Sequence, residues 1–343
     1  MSAPPLFNHE GPDRGARTMA EGLAALNTRM STGRRRRGPY RTGFQPLDGV
    51  LGGGLEPGGL TVLGGAPGRG KTVAALQWAR QAAIDGAQSI YVCFEHLERT
   101  LLARLLAAEV GQIIDDRGPF DAVRSEDIRA RLKALANGEC SVVDLASTDT
   151  LLSEAVELTF AYSDRMLLMS ESGRSAALEP FIDLIAEHGR ERTVLFVDYL
   201  QKIGTHTSDL PDEDQVRRAA ESLKDLAIET GIAVVAVAAA DRAGLTSRRL
   251  TMEHLRGSSS TTYEADAVVV LNEKLTTVSR SHLAFDTTRH EDFRQHTIFS
   301  VEKNRSGQAG LDLEFQKDFS FFRFRPNGRF VSERLWREGG IEE

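Results

Sequence analysis

The chain has 343 residues, 41% of them hydrophobic and 27% charged, with a formal net charge of −7. That is enough for one large domain or two with an ample core, and the acidic balance argues against a uniformly basic nucleic-acid binder while leaving room for one basic face. No apolar run approaches the ~20 residues of a bilayer span. The N-terminus lacks a signal-peptide pattern, and two cysteines (Cys93 and Cys140) exclude a disulfide framework and a cysteine zinc site, which suits a reducing cytoplasm.

Residues 1–15, with Pro4, Pro5, Gly11 and Pro12, read as a disordered tail. Residues 16–41 read as a linker helix followed by a basic linker. Met19, Leu23, Leu26 and Met30 recur at spacings of four, three and four, one face of a helix that needs something to pack on. Arg34 to Arg37 then form a basic, solvated connection.

An ordered domain is expected over 42–326, with 327–343 as a C-terminal tail. Near its start, Leu60 to Leu63 make an apolar strand that enters Gly65-Ala66-Pro67-Gly68-Arg69-Gly70-Lys71-Thr72, and Val73 to Ala83 leave it as a helix. This is G-x-x-x-x-G-K-[ST] in its strand-loop-helix context. The glycines let backbone N–H groups converge on phosphate oxygens. Lys71 brings a point charge, Thr72 a hydroxyl for Mg²⁺, and the helix N-terminus a partial positive charge. The chain is expected to bind a nucleoside triphosphate.

Strands and helices alternate after the loop. Ser89 to Phe94 read as a buried strand, Glu98 to Glu109 as a helix closed by Gly111, and Ser125 as a cap of the next helix. A less regular stretch precedes a strand at Met166 to Met169. Helix Leu178 to Glu187, strand Thr193 to Asp198, a helix through Val216, Ala219, Leu223 and Leu226, and strand Ile232 to Ala238 follow. This alternation implies a mostly parallel sheet with helices on both faces. Leu283–Phe285, Thr297–Glu302, Leu311–Phe315 and Phe319–Phe324 read as an antiparallel C-terminal extension.

Asp198, ending an apolar strand, is the expected Mg²⁺ partner of Thr72. Glu95, at another strand end, is the candidate base for an attacking water; His96 beside it contacts the same phosphate or faces solvent. Lys303 and Arg305 share one side of a strand and can stabilise charge on a phosphate, in cis or from a neighbouring subunit. Arg242, Arg248, Arg249 and Arg256 populate one loop region with few acids, a candidate track for a nucleic-acid backbone.

Together these segments resemble the RecA-like ATPase domain of DnaB-type replicative helicases over roughly residues 42–326. The matching pieces include Thr42-Gly43-Phe44, Gly53-Gly54-Leu55, the phosphate loop, Phe94-Glu95, Val197-Asp198-Tyr199-Leu200-Gln201, Glu264-Ala265-Asp266 and Lys303-Asn304-Arg305-Ser306-Gly307. The resemblance implies a hexameric ring with ATP and Mg²⁺ between subunits, 5′-to-3′ movement on single-stranded DNA, and Glu95 as catalytic carboxylate. It implies that Lys303 and Arg305 act in trans, that the 241–262 loop lines a DNA channel, and that the Met19–Met30 helix packs on the adjacent subunit.

Three departures stand out. Only about 40 residues precede the ATPase, so no primase-recruiting domain is expected. A segment usually reading Ser-Gln-x-Asn-Arg is Ala238-Ala239-Ala240-Asp241-Arg242, which removes a γ-phosphate-sensing glutamine. About 25 extra residues fall between Asn137 and Tyr162, and Arg256-Gly257-Ser258 is closer to RadA-like and KaiC-like relatives. The alternatives to a helicase are therefore a RadA-like recombination or repair ATPase, or a KaiC-like regulatory ATPase that ignores DNA.

Overall fold

The apolar runs pair into one sheet in the computed structural model, which describes residues 18–31, 38–118, 122–171, 179–203, 212–257, 263–279 and 288–336. Its strands are β1 (Leu60–Gly65), β2 (Gln88–Cys93), β3 (Met166–Ser170), β4 (Thr193–Asp198), β5 (Ala233–Ala239), β6 (Ala267–Glu273), β7 (His296–Asn304), β8 (Leu311–Asp318), β9 (Arg323–Phe324) and β10 (Arg329–Phe330). Among the described residues the order is β10-β8-β7-β6-β1-β5-β4-β2-β3, with β9 beside β8. From β3 to β6 every pairing is parallel; β7, β8, β9 and β10 add on antiparallel. This is the expected α/β, RecA-like architecture with an antiparallel extension.

Strand alternation sends side chains to two cores. Tyr91, Cys93, Phe196, Val235 and Val237 face Ala75, Trp78 and Ala82 of the helix after the phosphate loop, Lys71–Ile84. Ile90, Val92, Leu195, Val197, Val234 and Ala236 face Phe181, Ile185, Leu223 and Ala227 from helices Glu179–His188 and Asp212–Thr230 on the other side. Runs buried on both faces leave no polar alternation, which is why they read as continuous hydrophobic strands.

A third apolar cluster lies in a helical layer of Glu98–Arg117, Ala122–Asn137, Val142–Thr148 and Thr150–Ser163. The 137–162 stretch, expected to be extra, is thus largely helix, in Val142–Thr148 and Thr150–Ser163. Ser141 and Asp144 form a capping box at the start of Val142–Thr148, and the Asp149 carboxylate accepts from Leu151 N–H at 2.7 Å to start the next helix. This layer is tied to the phosphate-loop helix by Arg80, which pairs with fully buried Glu109, while Tyr162 Oη donates to the same carboxylate at 2.8 Å.

Three expected boundaries move. Ser125 does not cap its helix but lies inside it, since the helix is already formed from Ala122 to Asn137. Gly111 does not close its helix, which continues to Arg117. A Cβ at Gly111 would collide with Arg323 Nε, so the glycine makes room for a buried guanidinium paired with Asp115 and Asp318. The expected strand Phe319–Phe324 is instead a 3₁₀ turn (Phe319–Phe321), Phe322 at φ 48°, and the short β9. Phe324 thereby turns inward between Phe299 and Phe319, whose ring centroids each lie 5.2 Å from its own.

Residues 16–41 give a helix at Met19–Ser31 whose Met19 and Leu23 are 84% and 56% exposed. Segment 327–336, expected as tail, is joined to the domain by β10 and by Trp336 N–H donating to Thr277 O at 2.8 Å. The expected 1–15 tail, the Arg34–Arg37 linker and the Leu283–Phe285 strand lie outside the described residues. No described helix is long and apolar enough to cross a membrane.

Candidate active site

The carboxyl ends of β1, β5, β4 and β2 lie side by side, and the chemistry-bearing residues sit there as the fold class requires. After β1 the chain turns through Ala66, Pro67, Gly68 and Arg69 to Gly70, the N-cap of the following helix at φ 90°. A side chain at Gly70 would be strained by that angle, and its Cβ would fall 2.5 Å from the Phe324 ring. The inward-turned phenylalanines therefore form the floor on which the loop rests.

Lys71 Nζ donates to Ala66 O at 3.1 Å, folding the side chain back over the loop. Burial lowers its pKa, opposed by the charges of Asp198 and Glu95. Asp198 is 1% exposed; its Oδ2 accepts from Tyr91 Oη at 2.9 Å, and the Thr72 hydroxyl also bonds to it. Burial raises the Asp198 pKa despite these two hydrogen bonds. A buried carboxylate beside a helix-N-terminal hydroxyl is a hard-oxygen pair of the kind that would suit Mg²⁺.

Glu95 is exposed, just past β2, where Phe94 N–H donates to Asp198 O at 2.8 Å and fastens the two strand ends together. His96 has its pKa lowered by burial and by Arg104. The Cys93 thiol is pushed up to about 11 by burial and by Asp198, so it remains a neutral core group. Sequence reasoning misses Arg104. It lies over the Phe322 ring at 5.1 Å, and its charge interacts with Tyr91, Cys93, Asp198 and Glu95. Its Nε has no hydrogen-bond partner among the described residues, and burial lowers its pKa. Its signal in sequence is a cation inside an otherwise apolar helix face.

Lys303 and Arg305 sit elsewhere. Asp266 accepts from Leu60 N–H at 2.8 Å, from Lys224 Nζ at 2.7 Å and from Arg305 Nη1 at 3.2 Å. Arg305 Nη2 and Lys303 Nζ both donate to Tyr263 O, at 2.7 and 3.0 Å. Leu60 begins β1 and the phosphate loop follows its end, so roughly 17 Å of strand separates the two cations from Lys71 of their own chain. The arrangement does not bring them to their own phosphate loop. Burial and the neighbouring Arg305 lower the Lys303 pKa.

The four loop arginines divide. Arg249 is 15% exposed and pairs with Asp312 at 2.8 Å and Glu302 at 3.7 Å. Arg248 donates to Thr276 O and Val278 O, and lies 5.8 Å from the Trp336 ring centroid. Arg242 and Arg256 are exposed. Sequence spacing could not reveal this division, because Asp312 and Glu302 come from distant strands.

Phosphate loop, strand-end acids and sheet order together define a RecA-like P-loop fold. The model of the DnaB-like helicase C terminal domain matches residues 40–324, and the chain belongs to that family. It is 28% identical over 290 residues to the replicative DNA helicase DnaB of Treponema pallidum, covering 82% of this chain and 55% of that protein. It is 34% identical over 122 residues to the DNA repair protein RadA of Mycobacterium tuberculosis, covering 35% of this chain and 25% of that one. A solved DnaB-like replicative helicase, studied with its primase interactions, superposes with a TM-score of 0.62 at 15% identity, over 90% of this chain and 67% of that one. The chain spans about half the length of the DnaB relatives it matches.

Proposed function

We propose that the chain is an ATP-hydrolysing, DnaB-like motor on single-stranded DNA whose ATP sites form between subunits of a ring. The observation that carries this reading is the division of the catalytic groups. Lys71, Thr72, Glu95 and Asp198 cluster at one end of the sheet, and Lys303 and Arg305 lie at the other. A head-to-tail contact between copies joins the two halves, and repeated around a closed rotation it makes a ring.

In this mechanism the loop amides and Lys71 hold the phosphates; Thr72 with Asp198 would hold Mg²⁺, which would neutralise phosphate charge. Glu95 takes a proton as water attacks the γ-phosphorus and ADP leaves. Lys303 and Arg305 of the adjacent copy meet the charge that develops on the transferred group. Arg242 and Arg256 hold the strand backbone, and movement is 5′ to 3′ by family resemblance.

The RadA match and the Ala239 substitution favour a second reading, a repair ATPase that remodels strands without processive unwinding. ATP turnover measured with and without single-stranded DNA, alongside unwinding of a 5′-tailed duplex and the oligomeric mass in the same buffer, separates the two. Stimulated turnover with unwinding supports the motor, and stimulation without unwinding supports the repair reading. Turnover indifferent to DNA contradicts both.

A further inference from the structure

Ala239 has a methyl group where the resemblance expects a phosphate-sensing amide, yet its peptide is hydrogen-bonded both to the turn after β4 and to the arginine loop. It closes β5 in register with Gly65, the first residue of the phosphate loop. Its N–H donates to Gln201 Oε1 at 3.2 Å, and its C=O accepts from Arg256 N–H at 3.0 Å. Gln201 lies in the 3₁₀ turn Leu200–Lys202, three residues after Asp198, and so reaches from the end of β4 to the end of β5. Its Nε2 is enclosed with no acceptor among the described residues.

The loop beyond is seated on the same place. Ala240 bridges to Leu255, and Asp241 N–H donates to His254 O at 2.8 Å, closing the loop back on β5. Leu255 packs so tightly on β1 that a Cβ at Gly64 would lie 2.5 Å from its Cδ2. The Ala239 peptide and Arg256 are thus joined directly by a backbone hydrogen bond, beside the packing of Leu255 on β1.

We propose that Gln201 is a positioning residue that reports nucleotide occupancy to the Arg242–Arg256 loop. Its amide N–H₂ takes an acceptor that arrives with the triphosphate between β1 and β4, while its carbonyl holds the Ala239 N–H. An enclosed donor without a partner favours any arrangement that supplies one, so occupancy draws Gln201 toward the phosphate side and the Ala239 peptide follows. The loss of a side-chain amide at position 239 is then made good from the neighbouring strand. The inference rests on the site's binding ATP and not on the loop's binding DNA.

The test uses the full chain with Gln201→Glu, which keeps the acceptor for Ala239 N–H but removes the donor, and Gln201→Met, which removes both. Trypsin cleavage after exposed Arg242 and Arg256 is followed with and without Mg²⁺ and a non-hydrolysable ATP analogue, and analogue affinity is titrated in parallel. In the native chain the analogue should change the cleavage rate about fivefold or more, the response expected when one hydrogen bond biases two states. In both variants the response at saturating analogue should fall below about twofold, while analogue affinity falls about threefold to tenfold because the coupled contact is lost, and further in Gln201→Glu, whose carboxylate faces the triphosphate. A native loop insensitive to bound analogue, or a full response in Gln201→Glu, would overturn the relay. Failure of the native chain to bind the analogue would sink the ATP reading and the relay with it, whereas a nucleotide response without any DNA binding leaves the relay standing and removes the DNA reading.

Discussion

At the residue scale, the site is a set of charges held in places that make them costly without a ligand. Lys71→Ala should abolish nucleotide binding or lower turnover at least about a hundredfold, measured by fluorescent-nucleotide titration and steady-state ATPase. Asp198 is the sharper case. Its folded pKa is raised by burial, so its contribution favours the fold only at low pH and is lost as pH rises and the carboxylate ionises. Asp198→Asn should therefore raise the thermal midpoint of the nucleotide-free protein by a few degrees near neutrality while eliminating Mg²⁺-dependent turnover. The gain should shrink as pH falls into the range where Asp198 is itself protonated. A loss of stability at neutral pH would contradict this assignment. Lys303, whose pKa is lowered, should lose its proton earlier than an ordinary lysine as pH rises. Turnover should fall on the alkaline side, and Lys303→Arg should move that fall upward; an unmoved limb would assign it to Lys71.

At the scale of elements, the phosphate loop, Asp198 and Glu95 are legible in the sequence because each depends on local order: an apolar strand, then a turn, then a helix. The doubly covered parallel strands are legible for the same reason. What escapes is set by contacts distant in sequence. Gly111 has the composition of a helix stop and serves as a passage for Arg323, more than two hundred positions away. Gly111→Ala should cost about 1–3 kcal/mol in urea unfolding despite its better helix propensity, because Arg323 has no room to yield. The arginine loop looks like one basic track, and tertiary ion pairs divide it. Arg242→Ala with Arg256→Ala should weaken single-strand binding and lower the slope of log K against log salt by roughly 1.4, about 0.7 for each phosphate contact. Arg249→Ala should instead lower stability, because it strands Asp312 and Glu302. Equal salt slopes in the native and double-variant proteins would remove those arginines from the interface.

At the scale of the whole molecule, the sheet separates the groups that the proposed ATPase site needs. One end of the sheet carries the phosphate loop and its acids, and the opposite end carries Lys303 and Arg305 on the Asp266 and Tyr263 backbone hub. The exposed Met19 and Leu23 of the N-terminal helix give each copy an apolar face that its own described residues leave uncovered. Turnover should accordingly depend on protein concentration through assembly, with specific activity falling on dilution below the ring's dissociation range. The most direct measurement mixes two inactive proteins. Glu95→Gln lacks the proposed base and Arg305→Ala the proposed trans cation, so on this account each alone should be silent. Co-expressed at equal amounts, they should regain about a quarter of native turnover, the share of interfaces in a randomly mixed ring that pair an intact Glu95 with an intact Arg305. A mixed ring with no activity, or an Arg305→Ala ring that hydrolyses ATP unaided, would contradict the shared site.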